Sequence, residues 1–306
     1  MWFKNIKLFQ LPVEFKIDDA DLEEKLNQFE FKPCGSATPQ SIGWTPVIDQ
    51  EGAPLVHGAM GFKMICMKIE EKVLPATVVR EYTDDRVKEV EALDDRKLSK
   101  REKASIKDQM YFTLIQQAFC RSSKIYAYFD VTQNWLIVNC ANSKKLELFV
   151  THLKKALPAI ELITPETCNI PKLMTRWLLT EEYPDSFMVE KNAVLEDFND
   201  VKRVIRVKNQ DLFNESIQDF LKDGCVPKQI NLTWFDRITF NLNHDMTLTG
   251  LKYDDAVVEA GDDGETETAA DRFDADFLIM TGALQQMLKE VLEQVAPIDD
   301  DKAEAA

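Results

Sequence analysis

No stretch of this chain approaches the roughly 18 consecutive apolar residues that a membrane-spanning helix needs. Its opening, MWFKNIKLFQ, alternates like a strand and lacks the continuous apolar block of a secretory signal. Both absences point to a cytoplasmic protein with no membrane partner. Paired cysteines are missing too. Cys34, Cys66, Cys120, Cys140, Cys168 and Cys225 are scattered without a C-x-x-C, so reduced, mostly buried thiols are expected instead of a disulfide framework or a zinc site. Histidine is scarce, with His57, His152 and His244 far apart in unlike contexts, and no metal or cofactor is expected. There is no G-x-x-x-x-G-K-[ST] to cradle phosphates, no G-x-G-x-x-G, no H-E-x-x-H and no G-x-S-x-G. The acidic pairs Asp84/Asp85, Asp94/Asp95 and Asp262/Asp263 fall in polar helix ends or loops. A nuclease instead gathers carboxylates around a metal in a protected cavity. The expectation is a protein that is not an enzyme.

Positive charge is also short, with a formal net charge of −16. Its distribution matters more than its sum. From Asp245 to Ala306 there are 17 acidic residues against 4 basic ones, which leaves 36 acids against 33 bases in residues 1–244. Between Asp95 and Ile125 the balance reverses, to 8 bases against 3 acids. With a Debye length of about 8 Å at physiological salt, a remote acidic segment is largely screened from a basic face. The global charge therefore does not exclude a nucleic-acid partner.

What is present reads as an α+β fold: mixed helices and antiparallel sheets in two to three subdomains, without regular βαβ alternation. A strand over about 2–11 is followed by Asp18 as N-cap of a helix through Phe29. Pro33, Gly35, Pro39, Gly43 and Pro46 predict turns, and 61–70 a strand. Pro75 suits a first helical position, and the spacing of Val78, Val79, Tyr82, Val87 and Val90 predicts a helix to Leu93, interrupted by Asp94 and Asp95. Ser99 with Glu102 forms a capping box for a second helix to about Cys120. The stretch 124–163 reads β-β-α-β, with a hairpin around 132–134, a helix from Ser143 to Ala156 and a strand at 159–163. A helix at 171–179, a strand at 202–208, a helix at 214–222 and three strands across 226–253 follow. Phe273, Phe277, Met280, Leu284, Leu288 and Val291 then make one apolar helical face. The organisation is thus an N-terminal α+β region over 1–74, a long helical arm over 75–123 and an α+β region over 124–253. An acidic loop over 254–270, a helix over 271–296 and an acidic tail over 297–306 complete it.

The segment with chemical direction is DRKLSKREKASIKDQ, 95–109. Taken as helix, it places Arg96, Lys100, Lys103 and Lys107 on one stripe along roughly 16 Å, with Lys97 and Arg101 as an adjacent i,i+4 pair. Duplex DNA carries one charge per about 1.7 Å of axis, so the stripe could meet several phosphates. A solvated helix face is the alternative from pattern alone, although only Asp95, Glu102 and Asp108 lie nearby to pair with it. Arg121 with Lys124, Lys144 with Lys145, and Arg206 with Lys208 could join it. The five tryptophans do not interleave with basic runs, which favours core packing over base stacking.

WFKN at 2–5, FKPCGS at 31–36, GW at 43–44, EEKVLP at 70–75, ASIKDQ at 104–109, AFCRSS at 118–123, SKK at 143–145, RVKNQDL at 206–212 and RFDADFLIMTG at 272–282 stand in an order that resembles the bacterial recombination-associated protein RdgC family. The similarity spans nearly the whole chain. It implies a nucleoid-associated protein that binds single- and double-stranded DNA with little sequence preference. It also implies restraint of RecA-promoted recombination by competition for DNA. Further implied is a ring-shaped homodimer with a positively charged hole, lined by the Lys97–Lys107 segment and faced by Lys208 and Gln210, with Phe119 at the ring-closing contact. Two positions depart from the family pattern: Gln116–Gln117 replaces Pro-Arg, and Asn209 replaces a second basic residue, so a thinner positive lining is expected. Two other classes remain open: a protein-interaction module acting through its acidic surface, and a metal-dependent nuclease or phosphatase.

Overall fold

The computed structural model describes residues 1–50, 52–197, 203–259 and 268–297. In chain order the elements are β1 (Asn5–Gln10), α1 (Asp19–Asn27), β2 (Gln40–Thr45), β3 (Val56–Ala59), β4 (Phe62–Lys72), α2 (Ala76–Leu93) and α3 (Lys100–Gln117). Then come β5 (Cys120–Asp130), β6 (Trp135–Val138), α4 (Ser143–Ala156), α5 (Ile170–Thr180), β7 (Phe187–Asp197), β8 (Val204–Val207) and α6 (Glu215–Lys222). Last are β9 (Cys225–Trp234), β10 (Ile238–Asn243), β11 (Thr247–Tyr253), α7 (Asp255–Glu259) and α8 (Ala269–Val295). The chain is α+β, as expected. It divides into two compact units, the first built from Met1–Asp19, His57–Met64 and the chain from Tyr126 on, the second from Ala20–Val56 and Ile65–Ile125. Strands β4 and β5 each give residues to both units.

In the first unit the hydrogen-bonded order runs from the end of β5 through β6, β1, β11, β10, β9 and β7 to β8. The pairs are antiparallel, with Leu8 opposite Ile137 and Ile6 opposite Leu248. Helix α8 meets the expectation for its apolar face: Phe277, Met280, Leu284, Leu288 and Val291 are buried. The Phe277 ring packs edge-on against Tyr128 and Phe62, at 6.2 and 6.3 Å between centroids. Asp130 is buried with its carboxylate fully engaged. Its Oδ1 accepts the Thr132 and Gln133 N–H groups, fixing the β5–β6 turn, and its Oδ2 accepts Gln285 Nε2 of α8 at 2.7 Å.

The second unit carries the order β2–β4–β5, with Trp44 opposite Met67, and a helical pair formed by α2 and α3. Helix α1 buries Leu22 and Leu26 and uses the Glu23 carboxylate to accept the Leu55 and Val56 N–H groups at 2.8 Å each. The turn-rich stretch 33–46 holds a strand that was not foreseen, β2. Gly43 is there because the chain at Phe31 passes so close that a Cβ would sit 2.5 Å from the Phe31 Cα. A glycine that reads as a turn former is instead a point of backbone approach inside a strand.

Other expectations also need correction. Strand β7 was not anticipated, because its buried side chains alternate only in its second half and its register with β9 shifts between Val189 and Ala193. The strand at 159–163 reduces to a single bridge between Gln10 and Ile163. Pro75 is the N-cap of α2 and not its first turn. Within the expected acidic loop, Asp255–Glu259 form α7, whereas 260–267 lie outside the described residues, as do 298–306 of the tail and the start of the 202–208 strand. Trp44, Trp135, Trp177 and Trp234 are core residues. Cys66, Cys140, Cys168 and Cys225 are buried thiols as expected, but Cys120 is exposed and Cys34 only half-buried. No helix among the described residues is long and apolar enough to cross a membrane.

Candidate nucleic-acid interface

The basic segment of the second unit begins in a turn and not in a helix. After α2 ends, Asp95 takes a left-handed conformation (φ 49°), and the chain reverses before Ser99 caps α3. Leu98 anchors this turn by packing with Val87 and Ile106, flanked by Val90 and Met110. The capping box is complete: the Ser99 hydroxyl oxygen accepts the Glu102 N–H and the Glu102 carboxylate accepts the Ser99 N–H. Arg96 and Lys97 therefore precede the helix. The expected stripe through Arg96 and the Lys97–Arg101 helical pair do not form, because α3 starts only after the extended N-cap Ser99 and the 100° periodicity does not reach back to residues 96 and 97.

Two acids beyond the basic run also answer this segment, Glu91 in the last turn of α2 and Asp94 at its C-cap. Glu91 accepts the Leu98 N–H, the Lys97 ammonium and the Lys103 ammonium, each at 3.0 Å. Arg96 reaches Glu102 at 2.7 Å and Asp94 at 3.4 Å. Three cations, Arg96, Lys97 and Lys103, are thus partly neutralised. Lys100, Arg101 and Lys107 are exposed on α3 and have no acidic partner among the described residues. Sequence spacing conceals this division, because Glu91, the residue that organises it, lies outside the basic run.

Glu91 carries a pH consequence. The Leu98 N–H, then the Lys97 and Lys103 ammonium groups, hold its carboxyl down from the ordinary 4.5 to about 2. A depressed folded-state pKa means that the stabilisation is fully present above about pH 4.5 and is lost as pH falls through about 2. The Leu98 amide resonance is expected to titrate with a midpoint near 2 and the turn to persist at pH 4; a midpoint near 4.5 would contradict the lock.

Past α3 the chain enters β5. Lys72 Nζ donates to the Ile115 carbonyl at 2.8 Å and the Gln116 carbonyl at 3.4 Å, a lysine at the negative end of the helix dipole. Phe119, one residue beyond the C-cap, is 88% exposed, and its carbonyl accepts the N–H of Val73, itself 46% exposed. Arg121 pairs with Glu71 and Lys124 with Asp49, so neither offers an unopposed charge.

The first unit holds the remaining basic positions. Lys144 and Lys145 occupy the first turn of α4, which Asn142 caps through the Lys145 N–H and in which no acid stands. Cations there oppose the helix dipole, so helix stability does not explain them. Arg206 is exposed on β8 opposite Val194, with Lys208 just past the strand end. Asn209 is left-handed (φ 52°), its N–H donating to Asn192 Oδ1, and the exposed Gln210 donates its N–H to the Lys191 carbonyl. The left-handed φ gives Asn209 a conformational reason, since Asn tolerates it better than a long basic side chain. This unit also contains a cavity of about 990 Å³, lined by apolar residues such as Leu173, Leu179 and Val226 and by both basic (Lys172, Arg176, Lys228) and acidic (Glu196, Asp197) side chains. In the second unit, one group among the described residues could ligate a metal: Cys34, Glu70 and Cys120.

A family model described as "Putative exonuclease, RdgC" matches residues 1–296. The recombination-associated protein RdgC of Halorhodospira halophila is 34% identical over 96% of this chain and 97% of that protein. Its namesake from Tolumonas auensis is 34% identical over 99% and 100%, and that from Proteus mirabilis 33% identical over 96% and 97%.

Proposed function

The chain belongs to the RdgC family, and on that footing we propose that it is a non-catalytic, sequence-independent binder of single- and double-stranded DNA. It closes around DNA as a ring-shaped homodimer in the nucleoid of the cytoplasm and restrains RecA-promoted recombination by occupying the DNA. The observation that carries this reading is the exposed trio Lys100, Arg101 and Lys107 of α3, which have no acidic partner among the described residues, whereas the nearby Arg96, Lys97 and Lys103 pair with Glu91 and Glu102. Lys144, Lys145, Arg206, Lys208 and Gln210 supply further contacts from the first unit, and Phe119 joins two copies. Departures at Gln117 and Asn209 make the lining thinner than the family's usual one.

Gel-shift titrations on unrelated duplexes at several salt concentrations test the reading. Log K is expected to fall with log salt by about 0.9 per phosphate neutralised, alike for every sequence. A salt-insensitive or strongly sequence-selective affinity would sink it. The charge concentration from Asp245 onward, 17 acids against 4 bases, favours a second reading, a protein-interaction module for a basic partner. Under that reading DNA affinity stays weak at every salt concentration. The nuclease suggested by the family description predicts shortened DNA in the same lanes when Mg²⁺ or Mn²⁺ is added; intact DNA is expected.

A further inference from the structure

Strands β4 and β5 sort four polar side chains by the twofold alternation of a strand. Arg121 pairs with Glu71 on one face. On the other face Ser122 donates its hydroxyl to Glu70 Oε2 at 3.1 Å, and Cys120, two residues before Ser122, shares that side. The turn before β2 brings Cys34 to the same place, its N–H donating to Glu70 Oε1 at 2.7 Å and its thiol to the Glu70 carbonyl at 3.3 Å. The Cys34 Sγ, a Glu70 carboxylate oxygen and the Cys120 Sγ all lie within 4.8 Å of one another. We propose that Cys34, Glu70 and Cys120 form a binding site for one zinc-class divalent cation, with a water in the fourth position.

The chemistry of the donors supports a metal over a disulfide. Two sulfurs and a carboxylate oxygen are ligands that zinc accepts in a tetrahedron, and Zn–S bonds of about 2.3 Å set the sulfurs roughly 3.8 Å apart. Closing from at most 4.8 Å to that spacing needs a shift of no more than about 1 Å, whereas an S–S bond of about 2.05 Å needs more. The carboxylate is already oriented by the Cys34 N–H and the Ser122 hydroxyl, the outer-shell support that ligating carboxylates usually have. A bound dication deprotonates the thiols that ligate it. Each thiol gives up its proton as its sulfur bonds the metal, so binding releases two protons per ion. The bound ion staples the Cys34 turn to the first residue of β5. The site stands independently of the DNA-binding reading.

The full chain, stripped with a chelator and kept reduced by a phosphine, is titrated with Co²⁺ and then with Zn²⁺. The expected result is one equivalent of Co²⁺ with a thiolate-to-cobalt charge-transfer band, displaced by Zn²⁺, and release of two protons. C34S and C120S should each abolish the band while retaining the wild-type circular dichroism, and E70Q should weaken binding. A band that survives in either cysteine variant overturns the proposal. So does a reduced wild-type chain that shows no band, including one isolated with Cys34 and Cys120 joined as a disulfide.

Discussion

Duplex affinity at physiological salt is expected to fall on the order of 100-fold when Lys100, Arg101 and Lys107 are replaced together by alanine. The figure follows from counterion release: three lost phosphate contacts reduce the slope of log K against log salt by about 2.7, which at physiological ionic strength amounts to roughly two decades in K. None of the three side chains has an acidic partner among the described residues, and all are exposed. The folded helix should therefore tolerate the change, and an unaltered thermal melt accompanies the expected loss. The companion variant replaces Arg96, Lys97 and Lys103, which face Glu102 and Glu91. Their charges are already partly neutralised, so this triple substitution is expected to cost far less affinity. Equal losses from the two triples would show that DNA draws the paired cations away from their carboxylates, and that the division between them means nothing for binding.

That contrast could not be drawn from the sequence alone. The capping box at Ser99 and Glu102 was legible, as were the β5–β6 hairpin, α4 to the residue and the apolar face of α8, because each rests on local spacing or a local cap. The stripe fails at that same cap: with Ser99 as N-cap, Arg96 and Lys97 lie before the helix. What a periodicity count does not reveal is Glu91, which reaches forward across the turn to hold two lysines. Strands β2 and β7 were missed where long-range backbone contact decides the conformation: Gly43 against Phe31, and a register shift opposite β9. The convergence of Cys34, Glu70 and Cys120 belongs to the same class, since a turn and two neighbouring strands bring together residues that no spacing rule connects. Phe119 runs the other way. A phenylalanine at a helix end is a core residue by default, and the resemblance alone suggested otherwise; here it is 88% exposed.

On the proposed homodimer, Phe119→Ala is therefore expected to leave the melting of the monomer unchanged while moving the dissociation constant of that dimer by roughly 100- to 10,000-fold. In a two-fold interface the same residue is buried twice, and burial of a large apolar side chain is worth about 1.5–3 kcal/mol. Two copies then contribute about 3–6 kcal/mol, at 1.4 kcal/mol per factor of ten. The exposed ring costs the isolated chain little on removal, because most of it is already in water. Sedimentation velocity across a concentration series reads the dimer directly. If the homodimer closes around DNA, the variant should also lose the salt-resistant retention on closed circles that a ring provides, while linear duplexes still bind through Lys100, Arg101 and Lys107. A variant that sediments as the same dimer at the same concentration removes Phe119 from the interface. One that dissociates yet still holds closed circles keeps Phe119 in the interface and removes encirclement instead.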